Sequence, residues 1–259
     1  MTAGMASPTV LLRRAGPALV LLAAVLLGWE LTARALGNPN VPTFGAVLRA
    51  LAGNAAVIGP ALLQTLRRVL IALALAIVTM VPLGILIGRI RWLGDLADPV
   101  IDLLRPLPPP AIVPLVMLFA GTGDAAKITV IVYTAAFPIL IHAIDGIRGT
   151  HPLLHTVSRS LRLSRREALW HVDLPATLPV VMTGIRLAVA AALLVAVTAE
   201  MLLSSDGIGV YLLRSQETFR IADGLAGIVA IAAVGWAVNA AFLQLDRRLL
   251  HWHYATTAE

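Results

Sequence analysis

The ionisable residues of this sequence are few, and none of them forms a recognisable catalytic motif. A phosphate-binding loop of the form Gly-x-x-x-x-Gly-Lys-Ser/Thr is absent, because the single lysine, Lys127, follows Asp-Ala-Ala rather than glycine. The metal-binding pattern His-Glu-x-x-His and the nucleophile elbow Gly-x-Ser-x-Gly are absent too. His251 and His253 form only a weak pair. We therefore expect no enzymatic activity, no ATP hydrolysis by this chain alone, no bound cofactor and no metal site.

Polar residues inside apolar runs are the next candidates, because charge is costly in hydrocarbon. Glu200 and Arg186 are fourteen residues apart on one predicted helix, roughly 21 Å at 1.5 Å per residue, so they cannot pair directly. For Glu200 two interpretations stay open, a structural contact between helices and a place on a gate or pathway; Arg186 suits a cytosolic-side anchor. Tyr133, Thr183 and Thr198 are further pathway candidates, which ordinary helix packing explains equally well.

A charged segment at 157–179 interrupts the apolar sequence. The spacing from Thr150 to Pro175 predicts a short helix, a turn and a second short helix that ends at Leu174-Pro175, lying across the cytosolic face. An interfacial loop held by anionic lipid and a docking site for a cytosolic partner both explain it. Apolar residues recur at helical spacing with arginines around them: Leu154, Val157 and Leu161, then Ala168, Leu169 and Val172, with Arg159, Arg162, Arg165 and Arg166.

The elements that must position these residues are membrane helices. Hydrophobic residues make up 59% of the 259 residues and charged residues 13%, against about 25% charged in soluble proteins. Residues 69–88 and 224–245 contain no Lys, Arg, Asp or Glu and are long enough to cross a bilayer. Runs of this length indicate helices rather than barrel strands. The sequence predicts an all-α polytopic protein with six transmembrane helices, at 16–36, 62–88, 98–119, 126–145, 177–203 and 224–246.

Two of these spans carry helix-breaking or small residues. Gly84 and Gly88 form a small-xxx-small pattern that allows close helix approach. The third span opens with Arg105 and a proline-rich stretch and meets Pro114, so several helical hydrogen bonds cannot form there. A packed kink and a flexible element beside a pathway are both open. We predict one domain over 1–259, with a core at about 60–250 and a loop at about 148–176.

Charge predicts the orientation and limits the partners. With both termini in the cytosol, eleven basic residues lie inside and seven outside, which agrees with the positive-inside rule. The net charge of +6 is explained by loops and anionic lipid, so we expect no nucleic-acid partner. The first span competes with a signal peptide, because Ala33-Arg34-Ala35 resembles a cleavage site; Trp29 and Glu30 favour a retained span. The sequence contains no cysteine.

The charged segment resembles the cytosolic motif of permeases of type I ABC importers, specifically the nitrate, sulfonate and taurine group. That motif has Glu-Ala-Ala, three residues, Gly, nine residues, then an aliphatic residue, any residue and Leu-Pro. Val172 and Leu174-Pro175 fit its end, which places the motif glycine at Arg162 and the Glu-Ala-Ala at Thr156, Val157 and Ser158. Further stretches between about residues 38 and 252 are similar to the group: LRPLP at 104–108, IVPL at 112–115, FPI at 137–139, GIR at 146–148 and 184–186, AEM at 199–201 and DGIG at 206–209.

The resemblance implies the membrane-spanning subunit of an ATP-driven importer in the bacterial inner membrane, forming the pathway for a small solute. Implied partners are a second permease subunit, in a homodimer or a pair of related permeases, two cytosolic ATPase subunits that bind ATP and Mg²⁺, and an external solute-binding protein or lipoprotein. The helix near 156–166 would be the coupling element. The implied coupling residues are Thr156, Val157, Ser158, Leu161, Arg162, Arg165, Val172, Leu174 and Pro175.

Arg162 departs from this pattern, because glycine permits a tight turn and we expect arginine to supply bulk and charge instead of that turn. We expect this subunit to be matched to its own ATPase. The alternative function is a membrane scaffold or signalling subunit whose basic loop binds lipid or a regulator without moving solute.

Overall fold

The computed structural model describes residues 8–38, 40–203 and 206–251, and in these ranges it is helical without strands. Their order, with the ranges used below, is α1 Pro8–Leu36, α2 Phe44–Gly53, α3 Ala55–Arg89, α4 Arg91–Leu104, α5 Pro109–Ala120, α6 Asp124–Arg148, α7 Pro152–Ser160, α8 Arg165–Ala168, a π-helical turn Leu169–Asp173, α9 Leu174–Leu203, α10 Ile208–Glu217 and α11 Ile221–Leu249. The prediction of an all-α fold is confirmed.

Helices α3, α6 and α9 form the centre of the fold, with α6 packed between the other two. Their contact surfaces are rich in alanine, whose small side chain lets helix backbones approach closely in a membrane protein. Gly84 and Gly88 act in the same way, because a Cβ on Gly84 would lie 2.6 Å from Ala143 Cβ and one on Gly88 would lie 3.0 Å from the Ile144 carbonyl. The predicted close approach at this glycine pair is therefore confirmed. The buried residues that meet here include Val69, Ala72, Ala76, Ile131, Ala135, Ile139, Ala188, Ala192 and Ala196.

In the described part of the chain, four continuous segments are long and apolar enough to cross a membrane: α3, α6, α11, and the segment Arg165–Leu203, which contains α9. They contain the predicted spans at 62–88, 126–145, 177–203 and 224–246. The predicted span at 16–36 lies within α1, which is not one of the four. The count of six spans is compatible with this arrangement but is not confirmed by it.

The third predicted span, 98–119, is broken at its proline-rich stretch, where the sequence predicted that helical hydrogen bonds are lost. Helix α4 ends at Leu104, α5 begins at Pro109, and the two are bent by 99° at the break between them. Prolines lack the N–H that a helix needs and disfavour helical geometry in the preceding residue, so the proline-rich stretch ends one helix and starts another. The Tyr133 hydroxyl on α6 donates a hydrogen bond of 2.7 Å to the Leu104 carbonyl at this break.

A second set of helices covers one end of the central three. The side chains of α2, α10 and α11 meet in a separate apolar cluster around Val47, Ile208 and Ala226. Thr43 caps the start of α2, because its hydroxyl accepts a hydrogen bond from the Ala46 amide. The division of the chain into one domain over 1–259 stays a prediction.

Candidate functional site

The predicted coupling segment folds as a helix, a turn and a second short helix. His151 caps α7 by accepting a hydrogen bond from the Leu153 amide. After the turn, Ser164 and Glu167 form a reciprocal capping box that starts α8. The π-helical turn Leu169–Asp173 then continues directly into α9. The predicted helix, turn and helix are confirmed, while their position on the cytosolic face stays a prediction.

Arg162 lies at the position of the turn that requires a left-handed backbone conformation. Its φ is +52°. Its amide donates to the Arg159 carbonyl at 2.9 Å, and the next amide, of Leu163, donates to the Ser158 carbonyl at 3.0 Å. This pair of hydrogen bonds is a Schellman motif, in which glycine normally takes the left-handed position. Our expectation that Arg162 fails to supply the tight turn is therefore wrong, because arginine adopts the glycine conformation here.

The apolar side chains of this segment are turned outward. Leu153 is 61% exposed, Val157 46% and Leu161 67%. Thr156, Arg162, Arg165 and Pro175 are exposed as well, whereas Val172 and Leu174 are half-buried. Ser158 is the exception among the α7 candidates, being only 7% exposed. Exposed apolar residues flanked by arginines form a surface suited to contact with another molecule.

The inner side of the segment is tied to the end of α3 by one buried carboxylate. The Asp173 side chain is 6% exposed, and its Oδ2 lies 3.4 Å from Arg89 Nη2. His155 Nδ1 lies 3.8 Å from the other oxygen, Oδ1. Arg89 Nη2 also donates to the Arg165 carbonyl at 3.0 Å. Arg89 thus connects a membrane helix to both sides of the second short helix.

Glu200 lies at a different place, fully buried between α3, α9 and the start of α10. Its Oε1 is 2.6 Å from Arg68 Nη1. The Thr65 hydroxyl lies 2.9 and 2.8 Å from its two oxygens, and the Gly209 amide donates to Oε2 at 3.0 Å. A carboxylate at the first turn of α10 also interacts favourably with the helix dipole. The interpretation of Glu200 as a structural contact between helices is supported by this geometry.

Arg68 extends the Glu200 contact into a network of five charged side chains. Arg68 Nη2 lies 2.7 Å from Asp124 Oδ1 and 2.7 Å from Asp206 Oδ1. Lys127 Nζ lies 3.3 Å from Asp124 and 3.2 Å from Asp206. Arg68 and Lys127 are buried, whereas the two aspartates are about half exposed. The network joins α3, α6, α9 and the segment before α10.

Gly207 lets the α10 segment reach Glu200. Its φ is +102°, a conformation that side chains rarely adopt, and a Cβ there would overlap the Glu200 carboxylate. Gly209 has the same role further along, because a Cβ there would overlap the Val197 carbonyl. Two stretches that resembled the permease group, at 199–201 and 206–209, are therefore in direct contact.

The other predicted pathway residues do not gather around one cavity. Tyr133 lines a cavity of about 380 Å³ at the α4 and α5 break. Thr183 and Arg186 line a separate cavity of about 180 Å³ together with Asp246. The hydroxyls of Thr183 and Thr198 donate to the carbonyls four residues earlier in α9, at 3.2 Å each. Their role in a pathway stays a prediction.

The partners of Glu200 were not predicted from the sequence. Arg68 and Lys127 belong to the seven basic residues that the topology count assigned to the outside, because such a count treats arginine and lysine as loop residues, yet both are buried within helices here. The available signal was the position of Arg68 inside the predicted span at 62–88, where a charge normally faces a partner. Thr65, Asp124 and Asp206 carried no comparable signal.

These features define a polytopic helical membrane protein of the permease class, with its centre built from alanine-rich helices and a basic loop exposed at one end. A sequence profile described as "binding-protein-dependent transport system inner membrane component" matches residues 80–251. The chain belongs to this family and is the membrane translocation subunit of an ABC importer.

ABC transporter permeases from other organisms are similar to this protein over most of its length. The taurine transport system permease protein TauC of Escherichia coli is 34% identical over 194 residues, which are 74% of this chain and 70% of that protein. A putative ABC transporter permease of Methanocaldococcus jannaschii is 32% identical over 233 residues, 86% of this chain and 87% of the relative. The nitrate import permease protein NrtB of a Synechocystis strain is 28% identical over 227 residues, 83% and 82% of the two chains. Membership of the nitrate, sulfonate and taurine group is thereby confirmed.

Proposed function

We propose that this permease forms the pathway for a small solute delivered by an external binding protein, and that two cytosolic ATPase subunits drive it through the 148–176 loop. A homodimer of the chain would enclose the pathway, and the partner ATPases would bind ATP and Mg²⁺, since this chain has no phosphate-binding loop. The single observation that carries the proposal is the two-sided construction of the loop, exposed and apolar outside and ion-paired to a membrane helix inside.

The outer side supports docking of a protein rather than simple solvation. Leu153, Val157 and Leu161 expose large apolar side chains at helical spacing, which is the pattern of a helix that lies in a groove of a partner. Arginine side chains beside them supply charge complementarity for an acidic groove rim.

The inner side supports transmission of movement. Asp173 contacts Arg89 at the end of α3, and the π-helical turn continues into α9 without a break. A displacement of α7 by the ATPases therefore reaches two of the three central helices. ATP binding would drive the transport cycle only if the docked loop has different contacts in two states, since a ligand shifts an equilibrium by its differential affinity.

The absence of native cysteine makes the docking testable with single-cysteine variants. We expect Leu161→Cys, carrying a maleimide-benzophenone crosslinker, to attach to the ATPase subunit after illumination of the purified complex. Glu217→Cys at the end of α10 is the control, because it is exposed and outside the loop. Failure of Leu161→Cys to crosslink, in a complex where the ATPase copurifies, would contradict the proposal.

The same two variants test the proposed orientation, in which both termini and the loop are cytosolic. We expect an impermeant maleimide to label Leu161→Cys only in inside-out vesicles and Glu217→Cys only in right-side-out vesicles. The reverse pattern would mean that the membrane orientation is inverted.

A further inference from the structure

The cavity at the break between α4 and α5 is placed at the middle of the membrane-spanning fold. Its volume is about 380 Å³, and Tyr133, Phe137 and His142 of α6 line it together with Arg105 at the break. Helix α6 has 25 residues, about 37 Å at 1.5 Å per residue, which is enough to cross a bilayer. The lining residues on α6, from Tyr133 to His142, lie between the two ends of this helix, so we place the cavity within the apolar layer that α6 would cross.

Arg105 is the notable group in this cavity, because it is an exposed charge between the two helices of a broken span and has no ion pair among the described residues. Among the described residues, no carboxylate lies within ion-pair distance of its guanidinium and no hydrogen bond to that group is made. Arg148 and Arg68, by contrast, are both paired with carboxylates. Charges at membrane depth normally have a partner or face water and mark the path of a substrate or ion.

The rest of the lining favours an anion over a cation. None of the described residues around the cavity is acidic. Tyr133 fixes the position of the break by donating to the Leu104 carbonyl, next to Arg105. His142 Nδ1 donates to the Pro138 carbonyl at 2.8 Å, so Nε2 of the neutral ring can accept a hydrogen bond from an N–H or O–H group of a solute but does not bind its anionic group. The remaining walls include Leu107, Ile141 and Leu187, and apolar walls strengthen the field of a single cation.

We propose that this cavity is an anion-binding site on the translocation pathway, where the Arg105 guanidinium binds the negatively charged group of a small solute. A planar guanidinium fork suits an oxoanion such as a sulfonate, nitrate or bicarbonate group. Tyr133 is a positioning residue for Arg105, and His142 a second polar contact. This inference rests on the proposed function as a solute pathway.

The first test measures ATP-driven uptake of taurine, nitrate and bicarbonate by the complete transporter in proteoliposomes. We expect Arg105→Gln to raise the half-saturating concentration at least about tenfold, since a charged hydrogen bond is lost, and Arg105→Lys to restore part of it. Arg91→Gln is the matched control, because Arg91 lies at the other end of α4, is exposed and has no ion pair in the described chain. Unchanged uptake by Arg105→Gln would overturn the proposal.

The second test needs neither ATPase nor binding protein, so it separates failure of this site from failure of the transport function. Phenylglyoxal modifies accessible arginines, and mass spectrometry reports Arg105 directly in the permease reconstituted in nanodiscs. We expect taurine, nitrate or bicarbonate, but not uncharged urea, to slow modification of Arg105 severalfold while leaving Arg91 unaffected. Equal rates with and without all three anions would overturn the site even if transport is intact. Protection only by the anionic lipid phosphatidylglycerol would assign the charge to lipid and overturn it as well.

Discussion

Arg68 Nη1 lies 2.6 Å from Glu200 Oε1, and the two side chains are 3% and 0% exposed. The contact joins α3 to the last turn of α9, residues separated by 132 positions in the chain. Burying two charges is expensive, so such a pair is maintained only when further hydrogen bonds complete it. Thr65 and the Gly209 amide supply these bonds to Glu200, and the network as a whole fixes α10 against the central helices.

The Arg68→Gln variant tests how much this network contributes to the stability of the fold. We expect the variant to lose about 3–5 kcal/mol of stability, because removal of one partner leaves the Glu200 carboxylate buried without its counter-charge. Loss of folded protein in a detergent thermal-unfolding series, followed by size-exclusion chromatography, measures the effect.

Arg67→Gln is the control for that variant, since Arg67 is the neighbouring residue in the same helix but is exposed. Its effect should lie within about 0.5 kcal/mol, as for other surface changes. We also expect Glu200→Gln to restore part of the stability lost in Arg68→Gln, because the pair then carries no unmatched charge. Equal stability of the Arg67 and Arg68 variants would show that the buried ion pair does not contribute to the stability of the fold.

Gly207→Ala should disrupt the same site by a steric route. A methyl group at this position would overlap the Glu200 carboxylate, and the backbone, at φ +102° and ψ 172°, lies in a region that is essentially restricted to glycine. Gly121→Ala separates the two effects, because Gly121 has φ +69° and ψ −156° with open space around it. We expect about 1–3 kcal/mol of destabilisation from backbone strain in both variants and a clearly larger loss for Gly207→Ala, measured by thermal unfolding.

The sequence was sufficient for the helical class and for most element positions, because membrane helices leave a long apolar signal. It failed where local chemistry competes with that signal. The prolines at 106 and 108–110 predicted broken helical hydrogen bonds in the third span, but not the 99° bend between α4 and α5. The Arg68 and Glu200 pair depends on two helices meeting at a particular register, which the order of residues in one chain does not reveal.

Arg162 illustrates a different limit of sequence reasoning. A motif position that is usually glycine predicts a backbone requirement, but not whether another residue meets it at a cost. Here arginine meets it, with φ +52°, because the Schellman hydrogen bonds of the turn are still made.

The Arg89→Gln variant should increase the mobility of the coupling loop without unfolding the protein. The change leaves Asp173 buried with the His155 imidazole, at 3.8 Å, as its remaining ionisable contact among the described residues, and it removes a hydrogen bond to the Arg165 carbonyl. We expect hydrogen exchange of the amides at 165–173 to accelerate severalfold and ATPase stimulation by the permease to fall. Arg91→Gln provides a matched control, because Arg91 is two residues away and exposed. Identical exchange in the Arg89 and Arg91 variants would mean that the ion pair does not hold the loop.

Arg162 allows the shape of the loop to be separated from its charge. Arg162→Gly should stabilise the turn by about 1 kcal/mol, because a left-handed backbone costs a side chain about that much, while Arg162→Val should weaken it. If the charge contacts the ATPase, Arg162→Glu uncouples transport from ATP hydrolysis although the complex still assembles, and Arg162→Asn, which tolerates the turn, has an intermediate effect.

The measurements for this last series are solute uptake and ATPase stimulation in reconstituted complexes, first with the cognate ATPase and then with one from a related importer. Because Arg162 is exposed at the tip of the turn, its charge is available to select a partner, and we expect stronger stimulation of the cognate ATPase. Replacement by glycine, which keeps the turn and removes the charge, should reduce that preference. Equal stimulation of both ATPases by the native chain, or normal uptake by Arg162→Glu, would show that the arginine does not select the partner.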